Sequence, residues 1–293
     1  MSPFARIASI SVAVLTAGGL AAGLASPASA QPSNKPANVP IVSFGEAVAA
    51  AAADPSGSPA GVNVDCSLTA DHPFPVVLVN GTFTVMQDSF GYLGPQLADA
   101  GYCVYGYNYG GNPALPVQAI GPVEDGVTAL GTEVDQVLAR TGAGQVDLVG
   151  YSQGGLITEL YTKFGGASKV HSVTALSPTT HGTNVSGLFT LAKQIPGAMD
   201  ILGAGCPACT DQDTDSAVVA KLNDGPVAVP GIPYTVIESR IEDVVTPDGS
   251  SFIREPGVHN IWLQDVNPFD TSEHVQLAFD SVTLGIVLHA LSQ

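Results

Sequence analysis

Residues 146–155 of this 293-residue chain are Val-Asp-Leu-Val-Gly-Tyr-Ser-Gln-Gly-Gly, an apolar run that leads into a glycine-rich turn. The run 146–149 predicts a strand buried on both faces, and 154–164 predicts a helix. Between them, residues 150–154 have the pattern Gly-X-Ser-X-Gly. Glycines on both sides of a serine leave room for a strained turn that lifts the hydroxyl above the sheet. Ser152 is therefore a candidate nucleophile, and an ordinary glycine-rich turn is the alternative.

Strands and helices alternate on both sides of this stretch. Apolar residues recur at helical spacing from Val123 to Leu138, and Gly142 ends that predicted helix. Further strands are predicted at 75–79, 102–107, 170–176, 234–238 and 259–263, and a closing helix at 275–291. Such alternation predicts the α/β class, with a mostly parallel central sheet flanked by helices.

The N-terminal residues have the features of a secretory signal peptide. One positive charge lies in 1–6, an apolar run covers 7–20, and Ala28-Ser29-Ala30 supplies the small residues of a cleavage site. We expect a signal peptide over 1–30, cleavage after Ala30 and a secreted product. A membrane anchor is the alternative, but the run is shorter than the ~20 residues that a span needs.

The remaining chain divides by composition. Residues 31–60 are rich in Ala, Pro, Ser and Asn and predict an N-terminal arm with a short helix near 44–53. Residues 61–293 are predicted to form one catalytic domain. Within it, 181–225 is rich in glycine and interrupts the strand–helix alternation, so we interpret it as a cap or lid insertion.

Charge limits the classes of partner. The chain has 9 Lys and Arg against 26 Asp and Glu, a formal net charge of −17. Nucleic-acid binding depends on clustered basic side chains, so nucleic acid is a poor partner. The same charge opposes binding to anionic lipid surfaces, whereas neutral or apolar substrates are not repelled.

The four cysteines predict two disulfides in an exported chain. Cys206 and Cys209 can close a tight local loop, which leaves Cys66 to pair with Cys103. A redox pair or half of a zinc site is the alternative for Cys206 and Cys209. No second CxxC or HxxxH pattern follows to complete a metal site.

A serine nucleophile needs a base and an orienting acid, and in a fold of this kind these follow it in the order acid, then histidine. His259 begins a predicted strand and His289 lies within the closing helix, whereas His274 stands in the loop after the last strand. His274 is therefore the candidate base. Glu242 and Asp243 follow the strand at 234–238 and compete as the acid.

Two backbone N–H groups are needed to hold an oxyanion. Gln153, directly after the nucleophile, is one candidate donor. The other is Thr82, in the loop Asn80-Gly81-Thr82-Phe83 that follows the strand at 75–79. The Asn-Gly pair also occurs in ordinary turns, which is the alternative interpretation.

Taken together, these motifs resemble the secreted actinobacterial lipases of the class 2 triacylglycerol lipase family and, more distantly, the fungal lipase B type. The resemblance runs from about Cys66 to the C-terminus and implies the α/β-hydrolase fold. The motifs that carry it are Pro75-Val-Val-Leu-Val-Asn-Gly-Thr-Phe83, Gly101-Tyr-Cys-Val104, Gly150-Tyr-Ser-Gln-Gly-Gly155, Cys206-Pro-Ala-Cys-Thr-Asp211, Val244-Val-Thr-Pro247 and Glu273-His274.

The resemblance implies that Ser152 is the nucleophile and His274 the base, with Thr82 and Gln153 as the oxyanion donors. The family's acid motif is usually Asp-Glu-Val-Val-Thr-Pro, with its first residue catalytic. Glu242 occupies that first position here and Asp243 the second, so the order of the carboxylates is exchanged and Glu242 is favoured. Two further departures are Asn80, where relatives often have histidine, and Asn267, where many have cysteine.

The sequence therefore predicts a secreted carboxylic-ester hydrolase, a triacylglycerol lipase or esterase, that forms an acyl-enzyme. Its expected partners are neutral ester or lipid substrates, including those at a lipid–water interface, and the mechanism needs no cofactor or metal. A polyester hydrolase, a cutinase-like enzyme or a cell-envelope acyltransferase would share the same residues. A non-catalytic surface-binding module on this scaffold is the alternative of another class.

Overall fold

The computed structural model describes residues 38–293, so the predicted signal peptide over 1–30 and residues 31–37 of the predicted arm lie outside the described residues. Its central sheet has six parallel strands in the order β2-β1-β3-β4-β5-β6. The strands are β1 (Val76–Val79), β2 (Val104–Gly106), β3 (Val146–Tyr151), β4 (Val170–Leu176), β5 (Tyr234–Glu238) and β6 (Val258–Trp262). The predicted α/β class with a mostly parallel sheet is confirmed.

Helices connect the strands. They are α1 (Phe44–Ala53), α2 (Met86–Phe90), α3 (Leu93–Asp99), α4 (Val123–Thr141), α5 (Gln153–Tyr161), α6 (Leu188–Ala192), α7 (Ala198–Gly205), α8 (Pro207–Asp211), α9 (Ala217–Leu222), α10 (Leu263–Val266) and α11 (Ser281–Leu291). Of these, the sequence patterns predicted α1, α4, α5 and the C-terminal helix; the short helices at 86–99 and within 181–225 were not foreseen.

Two apolar cores lie on opposite faces of the sheet, because successive strand side chains point to alternate sides. Val77 and Leu148 pack on the face that α4 and α5 cover. Val76 and Val149 pack on the other face, with side chains from α3 and α11. Strands covered on both faces are mostly apolar, and Asp147, a buried polar residue of β3, is hydrogen bonded to His171 and Ser172 of β4.

The helix predicted over 275–291 is confirmed only from Ser281 onwards. A 3-10 turn covers Gln276–Phe279, the backbone is extended at Asp280, and α11 begins at Ser281. The Asp280 carboxylate accepts a hydrogen bond of 2.8 Å from the Thr283 amide. Aspartate at this position satisfies a free N–H of the helix start, so the chain begins a new helix rather than continuing the preceding turn.

The predicted cap insertion at 181–225 lies between β4 and β5 and contains α6 to α9. Lys193 joins its two halves, with its ammonium 2.8 Å from the Asp213 carboxylate and 2.7 Å from that of Asp215. A backbone bridge between Thr183 and Asp213 closes the segment near its base. Its most exposed apolar side chains are Leu188, Leu191, Ile195 and Ile201.

Both disulfides join the cysteines paired in the sequence analysis. Cys66–Cys103 connects the segment before β1 to the start of β2, across 37 positions of sequence. Cys206–Cys209 closes the first turn of α8. Within residues 38–293, no cluster of His, Cys, Asp and Glu has the arrangement of a metal site. In the same part of the chain, every helix is too short or too polar to span a membrane.

Three of the buried carboxyl groups in this framework have raised pKa values. Burial raises the pKa of Glu159, on α5, to about 8, although the Thr180 hydroxyl donates to its Oε1 at 2.9 Å and lowers the pKa in part. The other oxygen, Oε2, has no hydrogen-bond partner among the described residues. Burial likewise raises the pKa of Asp88 and that of Glu238 to about 7. Each of these groups therefore keeps its proton to a higher pH in the folded protein than in the unfolded chain.

We predict that the free energy of unfolding falls as pH rises from the ordinary glutamate pKa of 4.5 towards about 8. In that window the unfolded chain has released protons that the folded chain retains, so rising pH favours unfolding. Glu159→Gln should flatten the dependence, measured as the thermal midpoint against pH. Glu46→Gln, at an exposed glutamate of α1, is the matched control. An unchanged slope in Glu159→Gln would contradict the assignment.

Candidate active site

Ser152 lies at a sharp turn between β3 and α5, with backbone angles φ 55° and ψ −121°. A positive φ is strained for a residue with a side chain, and the neighbours must allow it. A Cβ on Gly154 would overlap the carbonyl oxygen of Val79, and one on Gly150 would lie 2.5 Å from the carbonyl oxygen of Gly154. Only glycine fits at these two positions, which is the physical reason for the Gly-X-Ser-X-Gly pattern.

Three side chains meet at the carboxyl edge of the sheet. Ser152 Oγ lies 3.0 Å from Nε2 of His274, and Nδ1 of the same ring lies 2.9 Å from Oε2 of Glu242. All three residues are buried. They follow β3, β6 and β5 respectively, and parallel strands deliver their following loops to one edge. The two ring nitrogens thus bridge the hydroxyl and the carboxylate, which is the arrangement of a serine–histidine–acid triad.

The structure separates the two competing carboxylates. The second oxygen of Glu242, Oε1, accepts hydrogen bonds from the amides of Val244 at 2.8 Å and Val245 at 3.1 Å. Asp243 is exposed, and its backbone carbonyl accepts a hydrogen bond from the Ser186 hydroxyl. The structure therefore brings Glu242, and not Asp243, to the histidine.

The carboxyl group of Glu242 is ionised despite its burial. Burial raises its pKa. The hydrogen bond and charge of His274, together with the Val244 amide, lower the pKa by more than burial raises it, so the net pKa is below 4.5. An ionised acceptor fixes the imidazole with its Nδ1 proton towards the acid. An imidazolium formed by proton transfer from Ser152 would be stabilised by the same charge.

The loop after β1 brings Thr82 beside the nucleophile's helix. The Thr82 hydroxyl donates to Oε1 of Gln153 at 2.9 Å. The backbone N–H of Gln153 is at the start of α5, where helix amides lack internal partners and favour a negative charge. The structure thus brings together the two residues selected as oxyanion donors.

Hydrogen bonds made by Asn80 stabilise the loop after β1. Its side-chain amide is buried and donates to the carbonyl of Thr84 at 2.7 Å, while its own backbone carbonyl accepts a 2.7 Å hydrogen bond from the Tyr109 hydroxyl. Thr84 in turn donates to the carbonyl of Gly81 at 2.7 Å. Asn80, a residue that the sequence analysis noted as a departure from the resembled family, therefore supports the loop that carries Thr82.

The two other late histidines lie elsewhere. His259 is in β6 and His289 is in α11, and both side chains are exposed. Two neighbours of the site are not predicted by the sequence patterns. The Tyr151 hydroxyl donates to the backbone carbonyl of His274 at 3.2 Å, and Gln212 donates to the Thr82 hydroxyl. The available signals were the position of Tyr151 within the serine motif and that of Gln212 directly after the CxxC-Thr-Asp motif.

Comparisons with known proteins agree with this architecture. Residues 75–200 match the family model described as alpha/beta hydrolase fold. No curated protein matches the chain.

Three solved structures share the fold at low identity. The Aspergillus fumigatus lipase B structure has a TM-score of 0.62 at 19% identity, and the match covers 78% of this chain and 56% of that one. The present chain thus corresponds to little more than half of the fungal chain. The mature Bacillus licheniformis lipase has a TM-score of 0.56 at 18% identity, covering 80% and 99%. The Paleococcus ferrophilus monoacylglycerol lipase has a TM-score of 0.50 at 19% identity, covering 75% and 96%.

This protein has the α/β-hydrolase fold. The six-stranded parallel sheet, the strained serine turn between β3 and α5 and the matched family model all define that architecture.

We predict that Glu242→Gln slows covalent labelling of Ser152 by a fluorophosphonate by on the order of 10³–10⁴-fold. The neutral glutamine amide cannot stabilise the imidazolium as the Glu242 carboxylate does. The measurement is the labelling rate, with the modified peptide identified by mass spectrometry. Asp243→Asn is the matched control and should label at the wild-type rate. Equal slowing in both variants, or slowing only in Asp243→Asn, would reverse the assignment of the acid.

Proposed function

We propose that the chain is a carboxylic-ester hydrolase, a triacylglycerol lipase or esterase related to the secreted class 2 lipases. The observation that carries this proposal is the continuous contact from Ser152 through His274 to Glu242. A hydroxyl in direct contact with an oriented imidazole is the arrangement that serine acyl transfer uses. The motifs of the sequence and the fold add support.

In the proposed reaction, His274 Nε2 takes the Ser152 proton as Oγ attacks the ester carbonyl. The amides of Thr82 and Gln153 hold the oxyanion, and the Thr82 hydroxyl is a third donor. His274 then protonates the leaving alcohol, which gives the acyl-enzyme, and next activates a water molecule that releases the acid. Loss of one oxyanion donor is expected to cost ~10²–10³ in turnover. No step requires a cofactor or a metal.

Exposed apolar side chains favour a neutral lipid as the substrate. Four of them project from 181–225, where Leu188 is 58% exposed, Leu191 57%, Ile195 57% and Ile201 78%. Phe83, directly after the proposed donor Thr82, is 52% exposed. We propose that those in 181–225 form one apolar patch, since contiguous patches mark surfaces that contact lipid or other apolar material. With a formal net charge of −17, the chain suits neutral rather than anionic lipid. We therefore propose that 181–225 is a cap that faces a lipid–water interface.

The same surface features would also suit a solid polyester, which keeps a polyester hydrolase or cutinase-like activity as the second candidate. That enzyme would use the same three catalytic residues and differ in the acyl pocket. A cell-envelope acyltransferase would differ only in the acceptor that takes the acyl group.

We further propose that the protein is exported and that its mature form begins at Gln31. The two disulfides agree with an oxidising destination. Secretory expression of the full chain should release a product whose N-terminal sequence starts at Gln31. Replacing Ala28 and Ala30 with bulky residues should block the cleavage, because signal peptidase requires small side chains there. A product that retains residues 1–30 and sediments with membranes would contradict this proposal.

The ester-hydrolase proposal is tested with p-nitrophenyl esters from acetate to palmitate, together with emulsified triglyceride and a solid polyester film. We expect hydrolysis that rises towards long acyl chains and is lost in Ser152→Ala, because only the nucleophile is removed. Asp243→Asn is the control that retains activity. Activity confined to short esters and the film would favour the second candidate. Equal rates in Ser152→Ala and wild type, or no hydrolysis and no fluorophosphonate labelling, would overturn the proposal in favour of a binding module.

A further inference from the structure

The hydroxyl of Thr82 lies between two side-chain amides. Gln212 Nε2 donates to Thr82 Oγ1 at 2.9 Å, and the Thr82 hydroxyl donates to Gln153 Oε1, also at 2.9 Å. Gln212 is 5% exposed and Gln153 is fully buried, whereas Thr82 itself is partly exposed, so both partners of its hydroxyl in the structure are buried protein groups. The direction of the Thr82 proton is therefore set by protein groups.

The amide of Gln212 has only one satisfactory orientation. Its Nε2 also donates to the backbone carbonyl of Ala208 at 2.9 Å, and its Oε1 accepts the Thr179 hydroxyl at 3.1 Å. Rotating the amide by half a turn would place its oxygen against the Ala208 carbonyl, with no proton between two acceptors. Gln212 must therefore present an N–H to Thr82.

The backbone that carries Gln212 is itself fixed. Gln212 directly follows α8, whose first turn is closed by the Cys206–Cys209 disulfide. The preceding residue, Asp211, accepts a 2.9 Å hydrogen bond from the Val123 amide at the start of α4. The base of the insertion is thus attached to a core helix, and it holds Gln212 in a constant position relative to the oxyanion loop.

A hydroxyl has one proton, and this geometry determines where that proton points. Because Thr82 Oγ1 accepts from Gln212, its own proton must point away from Gln212. In the structure it points to Gln153 Oε1, next to the proposed oxyanion donors. When an oxyanion forms there, it is a stronger acceptor than a neutral amide oxygen, so the proton is drawn to it.

The Gln153 side chain adds a second feature to this arrangement. Its Nε2 is buried and has no hydrogen-bond partner among the described residues. Once the Thr82 proton has turned to the oxyanion, rotation of the Gln153 amide by half a turn gives this N–H an acceptor in Thr82 Oγ1. Two amides would then donate to one oxygen, which leaves its proton for the oxyanion alone.

We propose that Gln212 is a positioning residue for the acyl-transfer reaction, which directs the Thr82 hydroxyl proton towards the oxyanion. The inference rests on the proposed function, and it adds a residue from the cap insertion to the site. Gln212 does not contact the reacting atoms; it acts through Thr82.

The test is a double-mutant cycle on p-nitrophenyl butyrate. Gln212→Met keeps the side chain's length and removes the N–H donor, and Thr82→Val removes the hydroxyl that it directs. Thr82→Ser retains the hydroxyl and is the conservative variant. We expect Gln212→Met to lower kcat by about tenfold, less than the ~10²–10³ for loss of a whole oxyanion donor. KM should stay within about twofold, because ground-state binding is unchanged.

The cycle separates positioning from a general structural role. Gln212→Met should lower kcat in wild type and in Thr82→Ser, but cause no further loss in Thr82→Val, because the hydroxyl is already absent. Gln136→Leu, at an exposed glutamine of α4, is the control for removing an amide. If Gln212→Met does not fold, as judged by its thermal midpoint, Gln212→Glu is used instead. It keeps the shape of the side chain and replaces the N–H donor with an acceptor. We expect the same loss of kcat in wild type and in Thr82→Ser, and no further loss in Thr82→Val.

Wild-type kcat in the Gln212 variant, or the same fold-loss in the Thr82→Val background, would overturn the positioning role. Either outcome with an active wild-type enzyme leaves the ester-hydrolase proposal intact. Absence of hydrolysis in the wild type, together with no fluorophosphonate labelling of Ser152, would instead remove the proposed function itself.

Discussion

The close packing of α5 against β1 and β3 is the constraint on which the rest of the site depends. A Cβ at Gly154 would overlap the Val79 carbonyl, so a side chain there would push the helix away from the sheet. With glycine in place, the turn at Ser152 is tight enough to impose a positive φ. The strain in that turn is maintained by the buried strands on both sides of it. Ser152, the start of α5 and the loop with Thr82 all take their positions from this one contact.

Hydrogen bonding, more than exposure to water, determines whether a buried carboxyl group in this protein is ionised. Glu242 is buried yet ionised, because amides and the histidine ring surround its oxygens. Glu159 is also buried, but one of its oxygens has no hydrogen-bond partner among the described residues, and its pKa is raised. The same residue type thus holds a charge in one place and a proton in the other. The difference lies in the number of donors that reach each carboxyl group.

Much of this architecture follows from short-range patterns in the sequence. The strands at 170–176 and 234–238 coincide with β4 and β5, because short runs rich in β-branched residues and bounded by turns are typical of strands. Ser152 and His274 could be selected because the serine motif and the last loop have fixed places in such a sheet. The carboxylate choice rested on a resemblance, since Glu242 and Asp243 are adjacent in an irregular loop. Gln212 could not be found in this way, because its role depends on a contact across 130 positions of sequence. The break at Asp280 was missed because a helix cap competes with an apolar periodicity that continues through it.

The Cys66–Cys103 link has a consequence for how the molecule is made. It closes a covalent ring that contains β1, α2, α3 and the loop with Thr82. By the loop-entropy relation, a ring of this size stabilises the fold by about 4 kcal/mol, a large share of the stability of an ordinary domain. In a reducing cytoplasm the same polypeptide would lack that contribution, and the oxyanion loop would be held by noncovalent contacts alone. Maturation of the site is thereby coupled to the redox state of the compartment in which the chain folds.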